Sequence, residues 1–486
     1  MAITNKIKNQ HLINRAGFGP MIESLIDFDK YTAKQLWQLL VKTSSQAPAE
    51  MSIATDPRKD KAFINEDGTA MNYKQMDATT KKLIAFQYRN DIKNMNIWWL
   101  TNMVNSKAQL RHKLTFFWHG HFACRSRNAL FSQQLFNIIQ QNALGNFGTM
   151  LRQVSKSPAM LQFLNNQQNR KGHPNENFAR EVMELFTIGR GNYTEADVKE
   201  AARAFTGWSF DKNGAFIFRP ILHDNFAKNV LGNTGNFNGD DVLDIILKKP
   251  ETAYFICKKI YQFFVNENID EILIKKLATN FYNNNYEIAP LLEEIFTSEW
   301  FYEQKNMAIK IKSPIELIVG IRRFLPLELE NDEVQLLFQK VLGQLLFYPP
   351  NVAGWPGGRS WIDSSTLMVR LQIPQALSNN DALEIKPKTD DDTDMGMVEQ
   401  KNLKIGKNKA FSKLGVSAHI NWSIVFKAFE NIARPQLEQA LISSLILTSA
   451  NFKSSTLQPF LNIESRDSFI KSVIINVMST PEYQLC

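Results

Sequence analysis

Apolar side chains recur every three or four residues through most of this 486-residue chain. The longest such run places apolar residues at Ile84, Tyr88, Ile92, Met95, Trp99 and Met103. This spacing lines one face of an α-helix. A strand pattern occurs only near residues 209–218, where the pair Asn213-Gly214 predicts a tight hairpin turn. The sequence therefore predicts an all-α fold, a large multi-helix body with one small β-hairpin at about residues 209–218.

Composition divides the chain into three parts. Residues 1–378 carry the helical pattern and are predicted to form the core. Residues 379–413 are polar, contain three consecutive aspartates at 390–392 and hold few apolar residues, which predicts an exposed, disordered insertion. Residues 414–486 return to helical spacing, so we expect C-terminal helices that pack back on the core.

Charge and cysteine content narrow the class of protein. The formal net charge is +8, but no run of five or six positive residues occurs, so nucleic-acid binding is not favoured. The three cysteines are far apart and predict neither a zinc site nor a disulfide framework. No apolar run reaches the ~18 residues of a membrane span. The start of the chain is polar, without the apolar segment of a signal peptide, and this predicts a cytoplasmic protein.

Residues 173–208 predict two helices joined by a tight turn. Pro174 suits the first helical position and Gly189 suits the end of the first helix. Thr194 and Asp197 have the spacing of a capping box at the start of the second helix.

The first of these helices carries an unusual polar face. Asn177, Glu181 and Glu184 recur at helical spacing, and Arg180 lies four residues from Glu184. One interpretation is a solvent-exposed face with a few ion pairs. The other is a wall of carboxylates and one guanidinium lining a pocket. The sequence leaves both open.

A second polar feature is the sequence Trp118-His119-Gly120-His121-Phe122. If the helix before it ends at Gly120, the imidazoles of His119 and His121 can converge, and imidazole is the commonest metal ligand. We therefore predict a half-site for a divalent metal ion. The alternative is that His119 caps a helix end while His121 packs in the core.

The familiar enzyme signatures are missing: no Gly-x-Ser-x-Gly, His-Glu-x-x-His, phosphate-binding loop or dinucleotide fingerprint is found. What remains is a set of polar residues suited to metal-assisted or metal-free acid–base catalysis. The predicted metal ligands are His119 and His121. The predicted catalytic residues are Arg180, Glu181, Glu184, His223 and Asp224.

Five motifs, in the same order along the chain, resemble the bacterial "domain of unknown function 1800" family. They are residues 14–19, 114–122, 173–208, 223–224 and 349–358. Within them, Arg15 is a candidate inward-pointing cation, and residues 349–358 form either a pocket wall or a rigid corner. The resemblance implies a neighbouring gene for a protein like alkaline phosphatases and sulfatases. It also implies relatives that are exported, which leaves localisation open.

Two functions follow from the residues and the resemblance. The first is an enzyme, metal-assisted in one version, that acts on an anionic or glycan substrate through a His/Glu/Arg pocket. The second is a non-catalytic helical scaffold that binds a phosphatase- or sulfatase-like partner protein or a polyanion. An enzyme should bring the predicted residues together at a cavity, whereas a scaffold should saturate them with protein partners.

Overall fold

The computed structural model describes residues 3–46, 48–56, 76–380, 382–383, 414–447 and 452–486. Within these ranges helices dominate, which confirms the all-α prediction. The α-helices are α1 (Asn5–Ala16), α2 (Ala33–Ser44), α3 (Ala78–Asn105), α4 (Gln109–His121), α5 (Ala129–Asn142), α6 (Phe147–Lys156), α7 (Pro158–Phe163), α8 (Asn177–Glu181), α9 (Glu195–Ala204), α10 (Gly239–Leu247), α11 (Pro250–Phe264), α12 (Glu271–Asn283), α13 (Ile288–Thr297), α14 (Pro314–Phe324), α15 (Glu333–Val341), α16 (Ser364–Asn379), α17 (Trp422–Ala428), α18 (Arg434–Leu445) and α19 (Arg466–Met478).

The predicted hairpin is present, and further short strand pairs accompany it. In the hairpin Trp208 pairs with Phe218 and Phe210 with Phe216, in antiparallel register. The strands are β1 (Trp208–Phe210), β2 (Phe216–Phe218), β3 (Lys228–Val230), β4 (Asn233–Gly235), β5 (Leu327–Leu329), β6 (Ala382–Leu383), β7 (Leu414–Gly415) and β8 (Ala418–Ile420). The other pairs are β3 with β4, β5 with β8 and β6 with β7, all antiparallel.

The buried apolar side chains form two large clusters. The first draws mainly on α1, α2 and α4–α13, and the second on α3 and α14–α19. Helix α4 joins them, because Phe117 belongs to the first cluster and the adjacent Phe116 to the second. Phe263 of α11 packs against both clusters. The two cores therefore meet along α4 and α11.

Side-chain caps fix where the relevant helices begin. The predicted capping box at α9 is present: the Thr194 hydroxyl accepts from the Asp197 N–H, and the Asp197 carboxylate accepts from the Thr194 N–H. Helix α14 begins with a second box, formed by Ser313 and Glu316. Such caps satisfy N–H groups that have no partner within the helix.

The two helices predicted in residues 173–208 are called the central helix pair. The first of them differs from its prediction. It begins at Asn177 rather than at Pro174, and after Glu181 it widens into a π-helix, Val182–Thr187. The Ile188 N–H donates to the carbonyl oxygen of Met183, five residues earlier, and the Thr187 hydroxyl donates to the carbonyl oxygen of Val182. Single π-turns of this kind interrupt helices and re-aim their carbonyl groups.

The domain boundaries remain a prediction. Most of the predicted insertion, residues 384–413, lies outside the described residues. The described part of residues 414–486 shares the second core with α14 and α16. No helix in the described ranges is long and apolar enough to cross a membrane.

Candidate ligand-binding site

The polar face of the central helix pair is occupied by ion pairs. Nη1 and Nη2 of Arg180 each donate to a carboxylate oxygen of Glu195 at 2.7 Å, and Nη2 also reaches Glu176 at 3.1 Å. Glu184 accepts from Arg190 and from the Tyr193 hydroxyl. The guanidinium predicted to clamp a substrate is thus bound by the protein's own carboxylates.

Glu181 stands apart from these pairs. It makes no hydrogen bond with any described residue, and its side chain is half-buried. Burial, reinforced by the nearby Glu184 carboxylate, raises the pKa of Glu181. Within the predicted set, Glu181 is the carboxylate that keeps free acceptor oxygens.

His223 and Asp224 are fixed by the segment that follows α9. Nδ1 of His223 lies 2.9 Å from the carbonyl oxygen of Thr206, so this nitrogen donates. Asp224 accepts from Arg203 at 2.7 and 3.2 Å. Lys228 donates to the carbonyl oxygens of Asp224 and of residue 226, which closes the loop on itself. These contacts hold the loop after the hairpin rather than open a site.

The two histidines of α4 do not converge. The helix continues through Gly120 to His121, so the imidazoles lie about 200° apart around its axis. Nε2 of His119 accepts from the Phe347 N–H at 3.2 Å, whereas Nε2 of His121 donates to the Phe186 carbonyl oxygen at 3.1 Å. Burial lowers the pKa of His119 to about 4 and that of His121 well below its usual value, so both are neutral.

The predicted residues are therefore spread over separate places. The described part of the chain holds no group of three or more His, Cys, Asp or Glu side chains arranged for a metal ion. The convergence on which the two-histidine half-site depended does not occur, so the metal site stays a prediction without support from the geometry.

A large cavity lies where the two cores meet, and of the predicted site residues His121 borders it. It has a volume of about 550 Å³, within the range of small-molecule sites. Two predicted motifs supply its walls, one through Gly120 and His121 of α4 and the other through Ala353, Trp355, Gly357 and Gly358. The segment 349–358 is therefore a pocket wall. Further lining comes from Phe116, Phe117, Lys259, Gln262, Phe263, Glu267, Lys310, Ile311, Ser313, Glu316, Gln344 and Trp361.

The two motifs touch through backbone atoms. Gly354 has φ +82°, and a Cβ atom there would lie 2.5 Å from the carbonyl oxygen of Gly120. Only glycine fits this conformation and this approach without strain. Trp355, the next residue, packs its ring 5.7 Å from that of His119. The contact fixes the Pro/Gly/Trp segment against the end of α4.

One end of the cavity carries a buried charge cluster. Oε1 of Glu316 lies 2.5 Å from Nζ of Lys113 and 2.6 Å from Nζ of Lys310. Burial opposes the ionisation of Glu316, but the two lysines outweigh it and hold its pKa well below the usual range. Burial lowers the pKa of Lys113 to about 8, despite the adjacent carboxylate. At neutral pH the group is one carboxylate between two cations.

Further cations surround this cluster and outnumber the acidic groups. Arg15, Lys312 and Arg370 are buried and also interact electrostatically with Glu316. The negatively charged groups that interact with the Arg15 guanidinium belong to Cys486, Glu316 and Glu267. Two nitrogens of Arg15 and two of Arg370 are buried without a hydrogen-bond partner in the described chain. The prediction that Arg15 points inward is confirmed, and the interior beside the cavity is positively charged.

The two lysines that line the cavity differ in their partners. Lys310 is paired with Glu316. Lys259, from α11, has no carboxylate within ion-pairing distance among the described residues, and its Nζ lies 5.0 Å from the centroid of the Phe255 ring. Burial lowers the pKa of Lys259 to about 8. Its amine is therefore free of protein anions.

Sequence patterns did not single out Lys113, Lys259, Lys310 or Glu316. A signal existed for two of them. Lys113 falls on the apolar face of α4, three residues after Leu110, and Glu316 is a lone charge in an apolar run. A charge at a core position indicates a buried partner. For Lys259 and Lys310 the sequence holds no comparable signal.

Comparison with known proteins supports the resemblance and adds no chemistry. Neither a curated protein nor a solved structure matches the chain. Residues 11–485 match the family model described as "Protein of unknown function (DUF1800)". Because that match covers nearly the whole chain, the protein belongs to the DUF1800 family of proteins of unknown function.

Proposed function

We propose that the protein binds an anionic small molecule, of the phosphorylated, sulfated or acidic sugar class, in the cavity between α4, α11 and residues 353–361, and acts on it as an enzyme. The observation that carries the proposal is the excess of buried cations around Glu316, at one end of this cavity. Buried cations without enough counter-charge are costly. An anionic ligand would supply the missing charge.

The lysines have distinct roles in this proposal. Lys259 offers an ammonium group that no protein carboxylate occupies, so it can bind the ligand's anionic group directly. Lys310 lines the same cavity but is paired with Glu316. Its positive charge attracts the ligand while this ion pair stays intact. Anion binding therefore depends more on Lys259 than on Lys310.

The aromatic lining suits the rest of a sugar. Trp355 and Trp361 border the cavity, and indole rings present broad apolar faces against which a sugar ring can pack. Glu267 also borders it and accepts no hydrogen bond from a described residue, so its carboxylate is available as a general acid or base. The site thus combines an anion anchor, a flat apolar wall and one free carboxylate.

Calorimetric titration tests the binding. The probes are inorganic phosphate, sulfate and glucuronate, with uncharged glucose as the reference. We expect at least one anion to bind, and Lys259→Met to weaken it about tenfold or more through loss of a charged hydrogen bond. Lys259→Arg keeps the charge and should retain most of the affinity. Lys275→Met, on the exposed face of α12, is the matched control. Binding that is absent, or equal in wild type and Lys259→Met, would refute the proposal.

The scaffold remains a second candidate, favoured by a separate observation. The predicted catalytic residues Arg180 and Asp224 are saturated by protein partners, and next to Asp224 the side chains of Ile221 and Phe226 are 82% and 79% exposed. An exposed apolar pair of this kind suits a protein partner. A purified phosphatase- or sulfatase-like protein encoded beside this chain should then bind it, and Ile221→Asp should weaken that complex. Unchanged binding by Ile221→Asp would remove this candidate.

A further inference from the structure

Lys259 is the lysine of the cavity lining that has no carboxylate partner among the described residues. It lines a space large enough for a sugar-sized molecule. Lys310 shares that space, but its amine is 2.6 Å from Oε1 of Glu316. The reactivity of the unpaired Lys259 amine can therefore be compared with that of the paired Lys310 amine in the same cavity.

The surroundings of Lys259 are mainly apolar. Its side chain is half-buried, with the Phe255 ring beneath the amine. The neighbouring imidazole of His121 is neutral and its Nε2 is engaged with the Phe186 carbonyl oxygen. The face of the Phe255 ring favours the charged amine weakly, but no carboxylate pairs with it, and burial lowers the pKa of Lys259 to about 8.

We propose that Lys259 is a nucleophilic amine that forms an imine with the carbonyl group of an anionic aldehyde or ketone bound in this cavity. The inference rests on the proposed function: the charged form of Lys259 attracts the anionic ligand into the cavity, and the uncharged form in equilibrium with it attacks the carbonyl group. It adds a reaction type and narrows the substrate class to anionic carbonyl compounds, such as sugar phosphates in their open form or keto acids.

The step balances without an outside oxidant or reductant. The lone pair of the uncharged Nζ attacks the carbonyl carbon, a C–N bond forms, and a proton passes from nitrogen to oxygen to give a carbinolamine. Loss of water breaks the C–O bond and leaves the C=N bond. Hydrolysis reverses both steps and returns the amine.

Burial supports the reactivity of this amine. With a pKa of about 8, Lys259 is uncharged in roughly a quarter of molecules at pH 7.5, whereas an ordinary lysine is uncharged in about 0.1%. Part of this advantage is lost because a less basic amine is a weaker nucleophile. We expect labelling of Lys259 to exceed that of an exposed lysine by about tenfold or more.

The test traps the imine by reduction. Wild type is incubated with substoichiometric pyridoxal 5′-phosphate, which carries an aldehyde and a phosphate, reduced with borohydride and mapped by peptide mass spectrometry. The expected result is a single adduct at Lys259, with far less at Lys310 and at exposed Lys275. An adduct at Lys259 no faster than at Lys275 would overturn the inference.

Lys259→Arg separates this inference from the proposed function. Arginine keeps the positive charge but cannot form the imine, so the variant should bind phosphate and show no adduct at position 259. Phosphate binding by wild type without a Lys259 adduct would refute the imine and leave the proposed function standing. An adduct without phosphate binding would support the amine and refute the anion site. Failure of both would refute both.

Discussion

The central helix pair and the cavity differ in how their charged side chains are exposed and paired. On the helix pair, Arg180 is flanked by two carboxylates, and Glu195 among them is 68% exposed. At the cavity, Glu316 is 4% exposed and cations surround it in excess. Exposed, mutually satisfied charges contribute little to stability and need no ligand. Buried charges without balance indicate a function that justifies their cost.

The largest expected effect comes from removing the central carboxylate of the cavity. Glu316→Gln keeps the size of the side chain but leaves Lys113 and Lys310 buried without their counter-charge. We expect a loss of about 3–5 kcal/mol in the free energy of unfolding. Urea unfolding at pH 7.5 measures it, with Glu195→Gln on the helix pair as the matched control. An equal loss in the two variants would abolish the distinction between the regions.

Acid sensitivity gives the next effect. The pKa of His119 is about 4 in the folded chain and near 6.5 in the unfolded chain, so the unfolded state binds more protons between these values. Stability should therefore fall as the pH is lowered from 6.5 to 4, by up to about 3 kcal/mol for this residue. His119→Gln should flatten that slope, and His173→Gln, at an exposed position, should not. Other buried histidines, among them His121, contribute to the same slope, so a slope as steep in His119→Gln as in wild type is the result that would contradict the buried, neutral state of His119.

One glycine from each region allows the two backbones to be compared. Gly354 and Gly191 have φ of +82° and +85°, but only at Gly354 would a Cβ atom collide, with the Gly120 carbonyl oxygen. Both alanine variants suffer the conformational cost of about 1 kcal/mol, and Gly354→Ala adds the clash. We expect Gly354→Ala to lower the thermal midpoint further and to weaken anion binding. Equal thermal midpoints for Gly354→Ala and Gly191→Ala would mean that the backbone relaxes around the added Cβ atom at little cost.

Local features of the fold could be predicted from the sequence. Helical spacing gave the all-α class, and the Asn213-Gly214 pair located the hairpin, because both depend on neighbours a few residues apart. The π-turn at Val182–Thr187, where the Thr187 hydroxyl also donates to the Val182 carbonyl oxygen, was not predicted from the apolar spacing.

The site was harder to predict than the fold. Polar residues clustered along the chain drew attention to Arg180 and Asp224, and there the clustering reflects local ion pairs. The cavity brings together residues distant in sequence: Lys113 and Glu316 are 203 positions apart. Of its lining residues, only those in the motifs 114–122 and 349–358 were singled out beforehand. Periodicity indicates which face is buried, but not which buried charges meet.

One titration tests the central claim most directly: the dissociation constant of the tightest anion, measured for wild type, Lys259→Met and Arg180→Met. Each variant removes one cation, from the cavity in one case and from the helix pair in the other. We expect Lys259→Met to weaken binding about tenfold or more and Arg180→Met to leave the dissociation constant unchanged. Weakening by Arg180→Met with none by Lys259→Met would place the site on the helix pair and contradict the account.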